Sequence, residues 1–420
     1  MEQLEIRNLI KDHLETGKIG DIYRNTYYSL LDRVLEDGCF PESVGAGGYG
    51  GVMFCRTTGA TDALFRETGE YETNEKIIRF ALDSARRMNL RRIPHIAHPP
   101  VYHEDGSVSQ NFSKDDQADG CLHVLGAWAK MVLSGKASKE FEDEYYSDVK
   151  MYLDILMNMP YFYYDEGCPI EIYPHMFPAE SLCLVYNCAF EHSRENRRWS
   201  VFDILTQSFA GAALEAMIKV AKKREDFESA KFWEGRLEVL KGGIDKFMTQ
   251  EIDGQKCYIE MRVPNGGWGR VFKGLGFFNW SPMAAGWEGL DKEVLDNTIN
   301  HIRKTTWVKA PFTDDLYYMA TDYDEDGVIN PAILGKGIGW DIVYCIRTGD
   351  YKRILDWILF LEEVNTSDLL AENLTPADGK WLISDGGNGE QCAWWCWAIA
   401  KLRKELGLDA APKKIVIQRM

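Results

Sequence analysis

The chain has 420 residues, 45% of them hydrophobic and 27% charged, an ordinary balance for a protein that buries a core; that length suits two or three average domains or one large toroid. A formal net charge of −17 repels phosphate, which argues against nucleic acid and anionic membrane surfaces as partners and favours a neutral or cationic small substrate. The opening residues carry no basic stretch followed by an apolar run, no apolar stretch is long enough to span a bilayer, and the ten scattered cysteines form no CxxC pair, so a reduced, cytoplasmic protein is expected.

Helical periodicity dominates. Apolar residues recurring at i, i+3 or i+4, and i+7 predict helices over 20–36 (Tyr23, Tyr27, Leu30, Leu31, Val34), 74–90 (Ile77, Ile78, Phe80, Ala81, Ala85) and 118–134 (Leu122, Leu125, Trp128, Ala129, Val132). The pattern recurs over 140–158, 202–222, 227–248, 292–304, 351–363 and 390–406, with weaker helices over 4–16, 58–68 and 337–347. Strand alternation is scarce; 256–263 and 414–418 are the best candidates.

Long connections rich in Gly, Pro, Asn and Asp lie at 36–56, 91–116, 159–200, 254–282, 306–336 and 364–389, about one per helix pair. Loops this long inside a compact domain usually carry function. No composition break separates domains. The expected fold is all-α: an (α/α)6 toroid of six helical hairpins with the long loops gathered at one end as a cleft, residues 1–420 forming a single catalytic domain. The alternative, an open α-solenoid, requires a sequence repeat that is absent.

Residues able to carry chemistry fall in those connections. The run from Gly45 to Gly59 allows close backbone approach before a helix and presents Tyr49, Phe54, Arg56 and Thr57; no Gly-Lys-Ser/Thr follows, so it is not a phosphate loop. Asp116, Gln117 and Asp119 open the helix through Trp128, where they either bind hydroxyls or complement the helix dipole. Glu191, His192, Arg194, Glu195, Arg197, Arg198 and Trp199 crowd one segment; there the arginines hold one carboxylate ionised while burial raises another, or the group is a surface salt-bridge network. Asp322, Asp324 and Asp326 match the front half of a calcium loop, but Ile333 stands where the bidentate Glu belongs and Pro331 interrupts the exit, so an Asp-rich turn is the preferred reading. His95, His98 and His103 lack the spacing of metal ligands. Finally Glu372 follows the 351–363 helix in a segment of Asn, Thr-Pro and Asp-Gly, read as a turn. With 13 Trp and 20 Tyr available to stack on sugar faces or fill the core, two carboxylates on separate loops of a helical scaffold suit sugar-bond hydrolysis.

These residues resemble the six-hairpin glycosidases: glucoamylases, trehalases and processing α-glucosidases. Leu369-Leu370-Ala371-Glu372-Asn373 with Thr375-Pro376 and Asp378-Gly379 is similar to the segment bearing the general base, and Phe190-Glu191 through Trp199 to the segment bearing the general acid. Both Glu191 and Glu195 fit the acid's place, Glu195 being preferred. Gly335 to Trp340 resembles a segment lining the sugar end, and Phe54-Cys55-Arg56 resembles an aromatic-x-Arg-Asp motif holding the terminal glucose, with Thr57 in place of Asp. The resemblance implies a cofactor-free, exo-acting hydrolase of a small oligosaccharide or glycoside. Its glutamic acid protonates the glycosidic oxygen while Glu372 deprotonates an attacking water, with inversion. A toroidal sugar epimerase using histidines, a glycoside phosphorylase, and a scaffold without chemistry are the alternatives.

Overall fold

The computed structural model describes residues 2–44, 49–112, 118–158, 184–185, 187–188, 200–262, 277–320, 322–323 and 329–414. Thirteen α-helices lie within them: α1 (Gln3–Thr16), α2 (Lys18–Asp32), α3 (Thr57–Thr68), α4 (Tyr71–Arg87), α5 (Ala118–Leu133), α6 (Lys139–Asn158), α7 (Ile204–Lys223), α8 (Phe227–Phe247), α9 (Ser281–Ala285), α10 (Lys292–Thr306), α11 (Gly335–Thr348), α12 (Tyr351–Val364) and α13 (Gly389–Glu405). All twelve helices expected from periodicity are present. The addition is α9, five residues with Pro282 near its start, too short to show a period.

The helices close into a double ring. Each of α3, α5, α7, α9, α11 and α13 packs on the next, and α13 returns to α3. Around them lie α4, α6, α8, α10 and α12, and α2 from the far end of the chain covers α13 to complete the sixth hairpin. Composition follows position. The inner helix α7 buries 16 of its 20 residues and is apolar on every side, whereas the outer α8 buries only one stripe, including Trp233, Leu237, Leu240 and Ile244. Helix α7 alone among the described helices is long and apolar enough to cross a bilayer, contrary to the expectation that no stretch is; it is a mostly buried member of the inner ring. Seven of the tryptophans, Trp128, Trp233, Trp280, Trp340, Trp357, Trp394 and Trp395, are fully buried and fill the core. Seven of the cysteines are buried and outside any disulfide, Cys392 and Cys396 among them on α13.

One buried ion pair ties an outer helix to the ring. Asp341 of α11 faces Arg303 of α10 at 2.5 Å and also accepts from the indole N–H of Trp280 and of Trp357, which satisfies a charge that burial alone would expel. Desolvation pushes the Asp341 carboxyl up, but Arg303, Arg353 and the indole donor of Trp357 together hold it below its usual range.

The two ends of the ring differ. After each of the first five inner helices the chain turns back within a few residues, as from Thr68 to Tyr71, Lys223 to Phe227 and Thr348 to Tyr351. Before each inner helix it runs through one of the long connections, so these gather at the N-terminal end of the inner ring. They hold short antiparallel strands. The expected strand at 256–263 is split into Gln255–Tyr258, which pairs with Thr249–Ile252, and Met261–Arg262, which pairs with Phe202 and Asp203. Of the 414–418 candidate, residues 415–418 lie outside the described residues.

Candidate active site

Several inner helices start beside one another at that end, and their first residues touch. Arg56 is the N-cap of α3, Asp119 the second residue of α5, Lys336 the second of α11, and Glu390 and Gln391 the second and third of α13. The Arg56 guanidinium bonds Glu390 through Nε at 3.0 Å and lies 3.7 Å from Asp119; Lys336 Nζ, wholly buried, reaches the other Glu390 oxygen at 3.2 Å. These carboxylates sit where backbone N–H groups point outward, which favours negative charge.

Glu42 joins them from the loop before α3. Its Oε1 accepts the Glu390 backbone N–H at 2.8 Å and its Oε2 the Thr57 hydroxyl at 2.6 Å. Its own backbone is pinned by N–H donation to the Val52 carbonyl (2.9 Å) and by receipt of the Gly389 N–H (2.7 Å). Gly389 must be glycine for this approach, since a Cβ there would come within 2.6 Å of Phe40. Burial, followed by the Glu390 charge, raises the Glu42 carboxyl to about 7, opposed by the Thr57 and backbone donors and by Arg56.

A cavity of about 180 Å³ opens above this floor of Glu42, Arg56, Glu390 and Gln391. One wall is aromatic: Tyr49, Phe54 and His95 meet edge to face, at 5.3 Å for the first pair and 5.2 Å for the second. The opposite wall is Glu372 with Asn388, whose side chain caps α13 by accepting from the Gln391 N–H at 3.0 Å. The Tyr49 hydroxyl donates to Glu372 Oε1 at 2.9 Å, joining the walls.

Glu372 is not in a turn. It lies in the strand Ala371–Ala377, paired with Lys380–Gly386 and, on its other edge, with Ile333–Leu334. The turn is Asp378-Gly379 alone, both with positive φ (51° and 78°), the two-residue hairpin geometry that an Asp-Gly pair favours. Two bonds seat the strand on the ring: the Leu370 N–H donates to the Thr26 hydroxyl at 3.1 Å, and the Leu370 carbonyl accepts from the Gly387 N–H at 2.7 Å.

The structure thus brings Tyr49, Phe54, Arg56 and Glu372 to one cavity, with Thr57 and Asp119 directly behind its floor. Trp340 is buried on α11 against Trp394, away from the described lining. Glu191, Glu195, Trp199, Asp116, Gln117, Asp324 and Asp326 lie outside the described residues; the backbone of Asp322 pairs with Asn330. Among the described residues no group of three His, Cys, Asp or Glu could hold a metal ion, and His98 and His103 stand apart from His95. Glu42, Asn388, Glu390 and Gln391 were not singled out by sequence; His95 is considered there only as a metal ligand, and Lys336 enters only within the segment Gly335 to Trp340. The one local signal is Gly387-Asn388-Gly389-Glu390, a glycine-flanked N-cap that brings an acid into a first turn.

The segment with Glu191 and Glu195 joins the described chain at Asn187–Cys188 and Ser200–Asp203, which pair through Asn187 with Val201 and Cys188 with Ser200. Asn187 accepts the Ala118 N–H at 2.9 Å, so this junction sits at the start of α5, next to Asp119 and hence near Arg56.

No family model matches the chain, and no curated protein matches it in sequence. Solved structures do. A metal-independent α-mannosidase of Streptococcus pneumoniae, complexed non-productively with α-1,6-mannobiose, superposes with TM-score 0.67 at 13% identity over 96% of this chain and 97% of its own. A bacterial glucoamylase complexed with acarbose superposes with TM-score 0.61 at 13% identity over 95% of this chain; the chain spans only 58% of that enzyme's length. A GH63 mannosylglycerate hydrolase of Thermus thermophilus, in complex with glucose, gives 0.57 at 10% identity over 89% of this chain and 99% of its own. The fold is therefore the six-hairpin toroid of these glycosidases, as the sequence resemblance implied.

Proposed function

We propose that the protein is a glycoside hydrolase, acting with inversion at the non-reducing end of a small neutral oligosaccharide or glycoside. The observation that carries this reading is the Tyr49–Glu372 hydrogen bond across the mouth of a polar cavity. The Tyr49 hydroxyl fixes the Glu372 carboxylate at the cavity edge, where it takes a proton from a water held against the sugar's anomeric carbon. The acid is Glu195, or Glu191, carried on the segment whose junctions lie beside Asp119. Inversion requires this acid roughly 6.5–9.5 Å from Glu372, with the water between. The cavity has room for about six waters at about 30 Å³ each, which suits one sugar ring and hence exo-action. The glycosidase names of the three neighbours support the same reaction class.

The test is hydrolysis of a panel of glucose and mannose disaccharides and p-nitrophenyl glycosides. Glu372→Gln is expected to lower kcat by at least about 100-fold, and the first product is expected in the inverted anomeric form by proton NMR. A Glu372→Gln protein as active as the parent would remove Glu372 from the chemistry. Cleavage only with inorganic phosphate would reassign the protein as a phosphorylase, and isomerisation without cleavage as an epimerase.

A further inference from the structure

The cavity floor holds two carboxylates that the hydrolytic reaction does not use. Glu42 and Glu390 come from points 348 residues apart in sequence, are each 3% exposed, and both line the cavity. Neither can swing. Glu42 spends one acceptor site of each oxygen on the Glu390 N–H and the Thr57 hydroxyl, and Glu390 spends one of each on Lys336 and Arg56. An ionised carboxylate offers about four acceptor sites, so each of the two retains acceptor capacity on its cavity face.

Among the described residues, the charges around them almost balance. Arg56 and Lys336 contribute two positive charges; Glu42, Glu390 and Asp119 contribute three negative ones when all are ionised, and the raised pKa of Glu42 is the response. Among the described residues, the other ionisable groups facing this floor are Glu372 from the hairpin, Tyr49 and His95 from the aromatic wall, and Arg33 of α2, which holds the Glu42 carbonyl from behind at 3.3 Å. Nothing in this set offers net positive charge to an incoming anion. It does offer fixed acceptors flanking one guanidinium, the complement of neighbouring hydroxyls that each donate once and accept once.

We propose that Glu42 and Glu390 are the specificity residues of this cavity: they bind two adjacent hydroxyls of a neutral sugar ring and exclude a ring bearing a carboxylate. The inference rests on the glycosidase reading of the cavity, deepening it to the class of sugar accepted. It also explains how Thr57 is accommodated where the resembling motif carries Asp: Thr57 serves as a donor that aims Glu42, and Glu390 supplies the carboxylate paired with Arg56.

The experiment reads binding, not turnover, in the Glu372→Gln protein. Glucose, mannose and galactose, each of their monodeoxy derivatives, and glucuronic acid are titrated calorimetrically. For the best-bound parent sugar, removing either of two adjacent hydroxyls is expected to weaken binding about tenfold or more, the loss of a bond to a charged group, and glucuronic acid is expected not to bind. In Glu42→Gln one of those two penalties should shrink to within about threefold of none. In Glu390→Gln/Lys336→Met, which removes Glu390 and Lys336 together, leaves the net charge of the floor unchanged and leaves Asp119 beside Arg56, the other penalty should shrink. Penalties that persist unchanged in both variants, or glucuronic acid binding as well as glucose to the unsubstituted floor, overturn the inference and leave the hydrolase reading standing. Failure of every sugar to bind overturns both.

Discussion

Asp203 offers a quantitative test of the electrostatics at this end of the ring. It is the N-cap of α7, fully buried, accepting the Thr206 N–H at 2.6 Å and the Thr206 hydroxyl at 2.7 Å. Burial raises its carboxyl from 3.8 to about 7, with the Asp119 charge adding to the rise and the Thr206 and Asn187 donors opposing it. Between those two values the folded protein holds a proton that the unfolded chain has released, so stability falls as pH climbs. Integrating from pH 5 to pH 8 gives a loss of roughly 2–3 kcal/mol from this residue. Asn is the neutral isostere of the protonated acid and caps helices as well as Asp does. The Asp203→Asn protein should therefore lose roughly 2–3 kcal/mol less stability than the parent over that range. Urea midpoints at pH 5, 6.5 and 8, followed by tryptophan fluorescence at constant m, measure the difference. Glu42, raised from 4.5 to about 7, adds a second loss of similar size, roughly 2–3 kcal/mol, with the same sign, so the parent should show roughly twice the slope of either single substitution. Lys130, lowered by burial to about 8, acts mainly above this window and with the opposite sign. Equal pH slopes in parent and Asp203→Asn, or a parent that gains stability towards pH 8, would refute the reasoning.

Two further outcomes follow from close contacts. Tyr49→Phe deletes the hydroxyl that holds Glu372 Oε1 and should lower kcat about tenfold, near the ~1.4 kcal/mol of one hydrogen bond to a charged group, with KM little changed and the urea midpoint within error of the parent. Gly339→Ala places a methyl 2.7 Å from the Trp394 carbonyl and 3.0 Å from the Trp395 Cα, both backbone, so α11 and α13 must separate; a loss of about 1–3 kcal/mol is expected, and a midpoint unchanged from the parent would show that the helices yield freely.

The helices were legible because each needs only its own periodicity, and α9 was not because five residues make less than two turns. The hairpin bearing Glu372 was half legible. Asp378-Gly379 marks its turn, but Leu382, 42% exposed, and the two buried positions Ala371 and Leu374, three apart, break the alternation that announces strands. Glu42 and Glu390 were invisible for a different reason. Each looks locally like an ordinary acid, one after a proline in a loop and one in a helix's first turn; what marks them as a site is their contact with each other, with Arg56 and with Lys336, which only ring closure creates.

Ring closure also explains why the cleft forms at this end and not the other. Each inner helix carries about half a positive charge at its N-terminus, and several of these ends meet where Arg56, Asp119, Lys336 and Glu390 touch. A concentration of partial positive charge favours acids in first turns, and Asp119, Asp203 and Glu390 lie at or beside such positions. Arg56 and Lys336 are the exceptions, cations at the starts of α3 and α11, and Glu390 lies at 3.0 Å from the first and 3.2 Å from the second. The long connections enter at this same end, so they vary in sequence without disturbing the helix seams below them. That division accounts for neighbours sharing the toroid at 10–13% identity. The ring needs small and apolar residues at seam positions such as Gly339, whereas the cavity's chemistry is set by the side chains that the loops and first turns bring together above it.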